Sequence, residues 1–522
     1  MKNIVFITGG VVSSLGKGII AASTARLLKD QGLKVNMMKC DPYLNVDPGT
    51  MSPIEHGEVF VTYDGGETDL DIGHYERFLG SNLTKNASLS SGKIYSKVLA
   101  KEREGEYLGK TVQIVPHITN QIQSEILQNT QNHDVLFVEI GGTVGDIESL
   151  PYLEAIRQLM LNPEIKTFLI HLTYVPYLKS SKELKTKPTQ HSVKELQGLG
   201  LIPNMIVTRN EIALTQKEKE KISLFCNVPV PNVIQSVDIN TVYKLPLMLK
   251  EQNVDTIISN YFAFKLQASK HEELRDVVQK IEHAKAEVIV GIIGKYTQLE
   301  DSYKSVIEAI NHAAIAQEVK PKIKLIASQT VNEEELVGLD AIIVPGGFGS
   351  GGIPGKKLAI KYAREHNMPF LGICLGMQLA TIDYAQNVCG VMVNHQELDE
   401  TNKDNIITLM EEQDINNLGG TLRLGNYECK IKKATLAYKI YQADIIEQRH
   451  RHRYEFNNDY INVLEKNGMV VSGINPQRNL VEIVEIPSHK FFVGVQYHPE
   501  LGSKLTEPDP LFKGLINSAK RK

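Results

Sequence analysis

The stretch ITGGVVSSLGKGI, Ile7–Ile19, joins an apolar, strand-like run to a helical pattern through a glycine-rich loop. Gly9, Gly10 and Gly16 allow the backbone N–H groups of such a loop to converge on one point. The helix predicted after the loop directs its positive N-terminal end at the same point, and Lys17 adds a positive charge. These features predict a phosphate-binding site. Taken alone, the pattern also fits a glycine-rich surface turn with an exposed lysine.

The loop departs from the standard phosphate-binding pattern at two positions. Val11 stands where that pattern has its first glycine, and Gly18 stands where a serine or threonine follows the lysine. Ser13 or Ser14 could supply the missing hydroxyl near a magnesium ion. The predicted helix covers residues 19–29, so the loop ends where the helix begins.

Short β-branched runs alternate with helical stretches along the chain, which is typical of βαβ units and parallel sheets. The runs lie at 3–8, 34–39, 134–140, 166–172 and 204–208 in the first half, and at 288–296, 323–328, 341–347 and 370–376 in the second. We therefore predict the α/β class, with two doubly wound, mostly parallel sheets.

Two domains are predicted, because 522 residues exceed what one hydrophobic core usually organises. A charged helical segment without a continuous apolar run separates the two series of strands. We place the domains at 1–266 and 288–522, with a linker helix at 267–287. The polar stretch 401–420 is predicted to be a mobile insertion or a hairpin region.

Composition and charge exclude several classes of function. The formal net charge of -4 gives no global attraction to nucleic acid or to anionic membranes. The sequence has neither an apolar run long enough for a membrane span nor a signal peptide, so we expect a cytoplasmic location and no membrane partner. Five scattered cysteines without a CxxC pair argue against a disulfide framework and against a zinc site.

Two acidic residues lie where magnesium ligands are expected. Glu139 follows an apolar run, at the carboxyl edge where parallel sheets bind ligands, and Asp71 lies in TDLDIGHYERF. Taken singly, either residue fits an exposed or helix-capping acid better. Together with Lys17, the two acids favour a site for a metal ion and a nucleotide.

A candidate nucleophile lies in the second half, within FLGICLGMQLA. Cys374 stands at a predicted strand-to-helix turn between Gly372 and Gly376, and such a sharp turn requires small flanking residues. The turn would expose the thiol at a helix N-terminus, where the helix dipole stabilises a thiolate. The ordinary interpretation of a cysteine after an apolar run is a buried, inert side chain.

A base and its orienting acid are predicted far downstream, in FFVGVQYHPE. Pro499 biases His498 toward an extended conformation, and alternation along an extended segment would place His498 and Glu500 on one side. The acid would then orient the imidazole. The PGGFG segment adds backbone donors, since the N–H groups of Gly347 and Leu375 would form an oxyanion hole. An isolated HPE would more often be a surface turn.

Long strings of this sequence resemble the CTP synthase family. They are ITGGVVSSLGKGI, KCDPYLNVDPGTMSPIEHGEVFV, TDLDIGHYERF, EIGGTVGDIES and KTKPTQHSV, and the resemblance extends through the second half. In that family, glycine after the loop lysine is the normal form. Cys374, His498 and Glu500 resemble the triad of class I glutamine amidotransferases. The resemblance implies a P-loop-like synthetase domain fused to a class I glutamine amidotransferase domain.

The resemblance also implies a reaction. ATP would phosphorylate O4 of UTP, and ammonia released from glutamine would displace the phosphate to give CTP. Mg²⁺ is implied as cofactor, ATP as co-substrate, GTP as allosteric activator and CTP as feedback inhibitor. A homotetramer that often forms filaments is implied as the assembly. The sequence indicates neither the GTP-binding residues nor the passage for ammonia.

The resemblance assigns residues to each ligand. ATP would be bound by Ser13, Ser14, Leu15, Gly16, Lys17, Gly18, Ile19, Lys39 and Asp71. UTP or CTP would be bound by Ser13, Asp146, Ile147, Glu148, Lys185, Thr186, Lys187, Pro188, Thr189, Gln190 and Lys221. Glutamine would be bound by Gly347, Leu375, Gln378, Glu397 and Arg453, and Mg²⁺ by Asp71 and Glu139.

The segment KELKTKPTQHSVK contains several lysines, two of which the family resemblance assigns to the triphosphate of UTP. Lys185 and Lys187 flank one residue, so both would face the triphosphate if the segment were extended. In isolation the same string would be a solvated basic loop.

Three alternatives are weighed against this interpretation. A related enzyme class carries similar domains and amidates corrinoid carboxylates, but the KTKPTQHS and DPYLNVDPGTM strings argue against it. A nucleotide-sensing scaffold or filament subunit would have lost the nucleophile or the metal acids, and this sequence retains both. The basic cluster 449–453 is too small to indicate nucleic-acid binding in an acidic protein.

Overall fold

The structure is a computed structural model that describes residues 1–398, 404–410 and 422–521. Its internal contacts divide the chain into two compact units. The first unit comprises 1–47 and 74–278, and the second comprises 48–73 and 279–522. The second unit is therefore discontinuous in sequence. The domain boundaries given above stay a prediction.

The first unit is built on one seven-stranded sheet in which every pairing is parallel. Its strands are β1 (Lys2–Gly9), β2 (Val35–Asp41), β3 (Ser88–Ser90), β4 (Val135–Ile140), β5 (Ile165–Tyr174), β6 (Met205–Asn210) and β7 (Val233–Val237). Their order across the sheet is β7–β6–β5–β1–β4–β2–β3. The chain moves to one side of β1 for β2 to β4 and to the other side for β5 to β7. The loop after β1 lies at this reversal, where doubly wound sheets bind ligands.

Helices connect these parallel strands. Helix α1 (Lys17–Asp30) follows the glycine-rich loop, and helix α2 (Lys187–Gly198) follows the KTKP segment. The other helices with their bounds in this unit are Ser91–Arg103, Thr119–Gln128, Leu150–Met160, Gln216–Cys226, Leu245–Glu251 and Val254–Phe262. Helix Leu70–Leu79 begins in the second unit and continues into the first.

The segment predicted as a linker helix is helical over Glu272–His283. Its apolar residues Leu274 and Val277 are buried. Glu273 accepts a hydrogen bond from Arg26 at 2.6 Å, and His271, just before the helix, contacts Asp30 at 3.0 Å. The beginning of this segment is therefore packed within the first unit.

The second unit contains a nine-stranded sheet. Its strands are β8 (Glu287–Gly294), β9 (Lys320–Ala327), β10 (Ala341–Val344), β11 (Phe370–Ile373), β12 (Arg423–Ile431), β13 (Ile445–His452), β14 (Val470–Asn475), β15 (Leu480–Glu485) and β16 (Phe492–Val495). Their order is β9–β8–β10–β11–β16–β15–β14–β12–β13. The pairings from β9 to β16 are parallel, and those from β16 to β13 are antiparallel.

Each face of the second sheet carries its own hydrophobic core. Along β10, Ile342 belongs to one core cluster and Ile343 to the other, and along β11 the same alternation separates Phe370 from Leu371. This alternation follows from the two-residue period of a strand, and both faces are buried because helices cover them. The predicted α/β class with doubly wound, mostly parallel sheets is confirmed. The antiparallel half of this sheet was not anticipated.

Helix α3 (Leu375–Asn387) follows β11, and the one-turn helix α4 (Pro499–Gly502) follows β16. The other helices assigned within this unit are Pro53–His56, Lys304–Ala316, Glu333–Leu336, Ile353–Glu365, Leu436–Tyr441, Ile461–Lys466 and Pro510–Ala519. Short strands occur at Phe60–Val61, Glu67–Thr68, Asn394–His395, Asn405–Leu409 and Tyr454–Phe456. Of the stretch 401–420, residues 401–403 and 411–420 lie outside the described residues, so the predicted insertion or hairpin stays a prediction.

Candidate functional site

Cys374 forms the sharp turn between β11 and α3. Its backbone has φ 51° and ψ -104°, and its N–H donates to the carbonyl of Val495 at 2.7 Å. The flanking glycines are required by space: a Cβ on Gly372 would lie 2.7 Å from the carbonyl carbon of Gly376, and one on Gly376 would lie 2.0 Å from the carbonyl oxygen of Val344. The turn has the predicted geometry. The side chain, which was predicted to be exposed, instead lies at the wall of a cavity and is only 5% exposed.

His498 and Glu500 form a buried pair. The Nδ1 atom of His498 lies 2.7 Å from Oε1 of Glu500. Burial alone would lower the pKa of His498, but the Glu500 carboxylate and the adjacent Cys374 outweigh burial and raise it to about 10. The imidazole is therefore held in its protonated form near neutral pH, as the partner of a thiolate requires.

The extended conformation predicted for this pair is wrong. Positions 498 and 500 do not alternate along an extended segment, because Pro499 begins helix α4. His498 immediately precedes the helix with φ -111°, and Glu500 lies in its first turn. Proline is well suited to the first helical position, since its fixed φ is helical and its missing N–H would have no partner there.

Gly346 lies between the nucleophile and the base. A Cβ on this glycine would lie 2.8 Å from Cε1 of His498 and 3.5 Å from Cβ of Cys374. Any larger residue would therefore displace the imidazole. Because Gly346 has no side chain, Cys374 and His498 can both lie at the same cavity.

This cavity has a volume of about 280 Å³ and lies within the second unit. Of the predicted residues, Cys374, His498, Glu500 and Gly347 line it. Leu375, Gln378, Glu397 and Arg453 are not among the lining residues that the structure describes. Glu397 remains close, because its Oε1 accepts a hydrogen bond from the Gly349 N–H at 3.1 Å. Gln378 is buried and its amide donates to the Tyr454 carbonyl at 3.0 Å.

Three contributions to this cavity were not predicted from the sequence. Residues from 49 to 59 line one side, although the sequence placed them in the synthetase domain. Arg451, from the basic cluster, donates to Oε1 of Glu67 at 2.8 Å and lies with its guanidinium 5.2 Å from the ring centre of Phe348. Lys356 also lines the cavity with only 2% of its surface exposed. A lysine in the helical pattern PGKKLAIKYARE gives no sequence signal of burial.

The first unit carries the glycine-rich loop. Helix α1 begins at Lys17 rather than at Ile19, and the Lys17 ammonium donates to the carbonyl of Gly142. A Cβ on Gly9 would lie 2.8 Å from the Lys17 side chain, and one on Gly10 would lie 1.8 Å from the Ser192 hydroxyl. These two glycines therefore allow the close packing around the loop.

The remaining loop residues predicted for ATP differ in exposure. Ser14 and Gly16 have positive φ values of 57° and 93°, so the chain turns sharply before α1. Ser13 and Ser14 are exposed, whereas Leu15 and Gly18 are buried. Hydroxyls and backbone groups of the loop are thus available to a ligand, and the N-terminal end of α1 points at it.

The residues predicted to bind magnesium lie in different units. Glu139, on β4, is buried and accepts a hydrogen bond from the Tyr75 hydroxyl. Lys39 is its register neighbour on β2 and lies 3.3 Å from the carboxylate of Asp41. Asp71 belongs to the second unit, in the first turn of its helix. Across the described ranges there is no group of three or more His, Cys, Asp or Glu that could hold a metal ion. The magnesium site stays a prediction.

Apart from Ser13 in the glycine-rich loop, the predicted UTP residues fall into two groups of the first unit. Asp146 accepts a hydrogen bond from the Thr143 N–H at 2.7 Å, and it is followed by the exposed Ile147 and Glu148. The second group contains Lys185, Thr186, Lys187, Pro188, Thr189, Gln190 and Lys221. Both groups follow carboxyl ends of strands in the same sheet, which is the edge that binds ligands in such folds.

The KTKP segment is not extended as predicted. Thr186 is already helical in its backbone angles, and Lys187 and Pro188 begin helix α2. Lys185 forms an ion pair with Glu183, while Lys187 lies 5.8 Å from the ring centre of Phe225. The two lysines therefore do not share one side through strand alternation. Proline again begins a helix rather than extending the chain.

Hydrogen bonds of Thr186, just before helix α2, and of Thr189 and Gln190 in its first turn fix the start of this helix. The Gln190 amide donates to the Thr186 hydroxyl at 3.0 Å, and the Thr189 hydroxyl donates to that of Thr173 at 3.1 Å. All three predicted residues are buried. Lys221 is exposed on helix Gln216–Cys226.

Sequence reasoning also missed a buried histidine behind the loop. His171 on β5 contacts the Thr8 hydroxyl and the Ser192 hydroxyl, each at 2.9 Å. Burial, reinforced by the nearby Lys17, lowers the pKa of His171 to about 3. The imidazole is therefore neutral and connects β1 to α2 through hydrogen bonds. Its position inside an apolar strand gave no functional signal.

The comparisons with known proteins agree with this architecture. The second unit has the fold of a class I glutamine amidotransferase, and the family model "Glutamine amidotransferase class-I" matches residues 298–518. The family model "CTP synthase N-terminus" matches residues 3–264. The chain belongs to the CTP synthase family of glutamine-hydrolysing ligases. This membership excludes the corrinoid amidase alternative.

Two relatives illustrate the extent of the similarity. "CTP synthase" of Hydrogenobaculum sp. (strain Y04AAS1) is 52% identical over 518 residues, covering 99% of this chain and 97% of the relative. "CTP synthase" of Bacillus subtilis (strain 168) is 51% identical over 528 residues, covering 99% of both chains. A solved glutaminase domain of Trypanosoma brucei CTPS with bound acivicin is 34% identical and covers 45% of this chain and 95% of its own, with a TM-score of 0.42. Among the helices described here, none combines the length and apolar character needed to cross a membrane.

Proposed function

We propose that this chain aminates UTP to CTP, with ammonia from glutamine and with ATP as the phosphate donor. The supporting observation is the turn that places Cys374 beside the His498–Glu500 pair in one cavity, in a chain that matches CTP synthases over 99% of its length. Neither a scaffold nor a filament subunit without activity would need a nucleophile, a base and an orienting acid in this arrangement.

The amidotransfer step uses the second unit. The Cys374 sulfur attacks the side-chain carbonyl carbon of glutamine, and the backbone N–H groups of Gly347 and Leu375 stabilise the oxyanion that forms. His498 gives its proton to the departing nitrogen, so that ammonia leaves and a glutamyl thioester remains. Water then attacks the thioester, with His498 as base, and releases glutamate and the free thiol. Gln378, Glu397 and Arg453 would recognise the amino acid end of glutamine.

The synthetase step uses the residues that the family resemblance assigns to ATP, UTP and Mg²⁺. Lys17 and the loop residues Ser13 to Ile19 bind the ATP phosphates, with Lys39 as a further cation. ATP transfers its terminal phosphoryl group to O4 of UTP; ammonia attacks C4, and phosphate leaves. Asp71 and Glu139 would hold Mg²⁺, which supplies charge neutralisation to the phosphates when bound. The Asp146 and Lys185–Gln190 groups, with Lys221, would bind UTP or CTP.

The regulation and assembly belong to the same proposal. We infer from the family resemblance that GTP activates glutamine hydrolysis and that CTP inhibits the enzyme as its product. We propose a cytoplasmic homotetramer, and no nucleic-acid or membrane partner.

One experiment tests the two halves of the reaction together. CTP formation is measured from UTP, ATP and Mg²⁺, with glutamine plus GTP in one reaction and ammonium chloride at mildly alkaline pH in another. CTP in both reactions is expected. Cys374→Ala should abolish the glutamine reaction and spare the ammonia reaction, whereas Lys17→Ala should abolish both. Loss of both activities in Cys374→Ala, in folded protein, would contradict the assignment of separate sites.

A further inference from the structure

A chain of hydrogen-bonded side chains lies beneath Cys374, and its direction is fixed by backbone groups. It begins with Gln378, whose Nε2 lies 3.0 Å from the carbonyl oxygen of Tyr454. A carbonyl oxygen only accepts hydrogen bonds, so the nearby atom of the Gln378 amide must be its nitrogen. This contact settles which way the Gln378 amide points.

The orientation of Gln378 is supported from its other side. Its Oε1 lies 3.0 Å from Nε2 of His395, and Nδ1 of His395 lies 3.1 Å from the backbone N–H of Glu397. Because the Glu397 N–H can only donate, Nδ1 is the acceptor and the ring proton is on Nε2. Burial lowers the pKa of His395 to about 4, so this neutral form persists at neutral pH. His395 therefore donates to Gln378.

The chain then reaches the nucleophile. Nε2 of Gln378 also donates to Oε1 of Gln496 at 3.1 Å, which leaves Nε2 of Gln496 facing the sulfur of Cys374 at 3.7 Å. Gln496 is only 1% exposed. We propose that Gln496 is a catalytic residue that donates an N–H to the Cys374 sulfur and stabilises its thiolate, with its direction fixed through Gln378.

A donor at this position has a defined effect. A hydrogen bond to the charged form of a group stabilises that form, and a thiolate accepts more strongly than a thiol. The carbonyl of Arg451 lies 3.9 Å from the same sulfur and acts in the opposite direction, because it can only accept from the thiol. A buried glutamine that merely filled space would leave the ionisation of Cys374 unchanged.

The charged groups around the Cys374 sulfur are the same in the wild type and in a Gln496 variant. The charged groups that share the cavity with Cys374 are Glu58, Lys295, Lys356, Arg451, His498 and Glu500, with the hydroxyls of Tyr296 and Tyr303. None of them is altered by substitution of Gln496. A change in the ionisation of Cys374 in such a variant therefore reports on the Gln496 amide.

The test is the pH dependence of Cys374 alkylation by iodoacetamide without glutamine, followed on the Cys374 peptide by mass spectrometry. Gln496→Met removes the donor and keeps an unbranched side chain. We expect the midpoint of its profile to rise by about one pH unit, so that alkylation at pH 7 slows roughly tenfold. Gln496→Glu, which replaces the donor by an acceptor, should raise the midpoint further. An unchanged midpoint in Gln496→Met overturns the proposal.

Gln386→Met is the matched control. Gln386 lies in the same unit, on helix α3, whereas Gln496 follows β16. The Gln386 amide donates to the carbonyl of Val393 at 2.7 Å and accepts from Lys357 at 2.8 Å, so it has no contact with Cys374. Its alkylation profile should match that of the wild type. If Gln496→Met does not fold, Gln378→Met interrupts the chain one residue earlier. A smaller upward shift is then expected, and an unchanged midpoint in that variant overturns the proposal.

This inference rests on the proposed function, and the two can fail separately. Ammonia-dependent CTP formation in every preparation reports that the protein is folded. If Cys374→Ala retains glutaminase activity, the proposed function is wrong. If Cys374→Ala is inactive and the Gln496 variant keeps the wild-type midpoint, only the role of Gln496 is wrong.

Discussion

At the residue scale, the most informative side chain outside the Cys374–His498–Glu500 group is a buried lysine. Lys356 lines the same cavity and is 2% exposed. Among the described residues no carboxylate pairs with its ammonium, and its charged neighbours are Cys374 and Lys295. Burial, only partly opposed by the nearby Cys374, lowers the pKa of Lys356 to about 8. A buried charge without a partner destabilises a fold.

We expect Lys356→Met to stabilise the folded protein. The lowered pKa corresponds to a cost of about 3 kcal/mol at neutral pH, which methionine would remove while filling similar space. In the wild type, stability should rise as pH increases from about 8 to 10.5, because the folded state gives up the Lys356 proton before the unfolded state does. Thermal unfolding of both proteins from pH 7 to 10 measures the difference.

The neighbouring Lys357 provides the control for this prediction. Its ammonium donates to Oε1 of Gln386 at 2.8 Å. Lys357→Met should give no gain in stability. A Lys356→Met protein that is less stable than the wild type would show that its ammonium is paired or solvated.

The acid beside His498 gives a second prediction at this scale. Glu500→Gln removes the carboxylate that holds the pKa of His498 at about 10, and burial then favours neutral imidazole. We expect glutamine-dependent turnover to fall about 100-fold, with ammonia-dependent CTP formation unchanged. The exposed Glu507 is the control, since Glu507→Gln should leave both rates unaltered. Equal loss of both rates in Glu500→Gln would instead indicate general disruption.

His498 should affect the pH dependence of wild-type stability in the direction opposite to Lys356. Because the folded pKa is raised, this group stabilises the fold fully below its ordinary value of 6.5. That contribution is lost as pH rises from 6.5 to about 10. In Glu500→Gln the loss should disappear, which unfolding measured at several pH values can show.

The sequence indicates individual residues unevenly, for a physical reason. Cys374 and His498 became candidates because a nucleophile turn and a proline-linked histidine leave small, distinctive local patterns, and their catalytic roles stay predictions. Lys356 and Gln496 were missed, because burial of a polar side chain depends on neighbours that are distant in sequence. A lysine in a helix, or a glutamine just after a strand, carries no local sign of what it contacts.

At the element scale, most parallel strands were predicted, whereas the antiparallel strands β12 to β15 and two helix beginnings were not. Strands such as β4 are buried on both faces, so they are continuous apolar runs that the sequence displays directly. The segments around Pro188 and Pro499 were instead predicted to be extended. Proline restricts the residue before it, but it also favours the first turn of a helix, and the second effect prevailed at both places.

The turn between β11 and α3 leads to a prediction about packing. A Cβ on Gly376 would lie 2.0 Å from the carbonyl oxygen of Val344, which belongs to the backbone of β10 and cannot rotate away. We expect Gly376→Ala to destabilise the second unit by about 3 kcal/mol and to displace Cys374. Denaturant unfolding and glutaminase activity measure the two effects.

Gly198→Ala separates this effect from the ordinary cost of altering a glycine. A Cβ on Gly198 would meet no atom within 4 Å, and this glycine ends helix α2. Its replacement should be neutral or slightly stabilising, since alanine has the higher helix propensity. If Gly376→Ala were as stable as Gly198→Ala, the backbone of β10 could move away from residue 376 and the predicted clash would be wrong.

At the scale of the whole molecule, the sequence predicted two α/β domains in linear succession, whereas the second unit includes a segment from early in the chain. Alternation of strands and helices reveals how many sheets exist, because it depends on local periodicity. It does not reveal that residues 48–73 pack with the second unit. That packing uses polar pairs between residues hundreds of positions apart, such as Arg449 with the carbonyl of Val61 at 3.0 Å.

Glu58 provides a direct test of this discontinuous unit. Its carboxylate accepts hydrogen bonds from the Ser305 N–H at 2.9 and 2.8 Å, at the start of helix Lys304–Ala316. An acid at a helix N-terminus satisfies an otherwise unpaired N–H and interacts favourably with the helix dipole. Glu58→Ala should therefore destabilise the second unit by about 1–2 kcal/mol.

Hydrogen exchange can show that the effect of Glu58→Ala is confined to the second unit. Hydrogen exchange of the first-turn amides of helix Lys304–Ala316 should increase in Glu58→Ala, because their partner is lost while β1 to β7 are untouched. Glu55→Ala is the matched control: Glu55 is exposed in the same segment, so its removal should leave that helix unchanged. Unchanged exchange in Glu58→Ala would mean that the segment 48–73 is not an integral part of the second unit, and that the linear division of the chain describes its stability better.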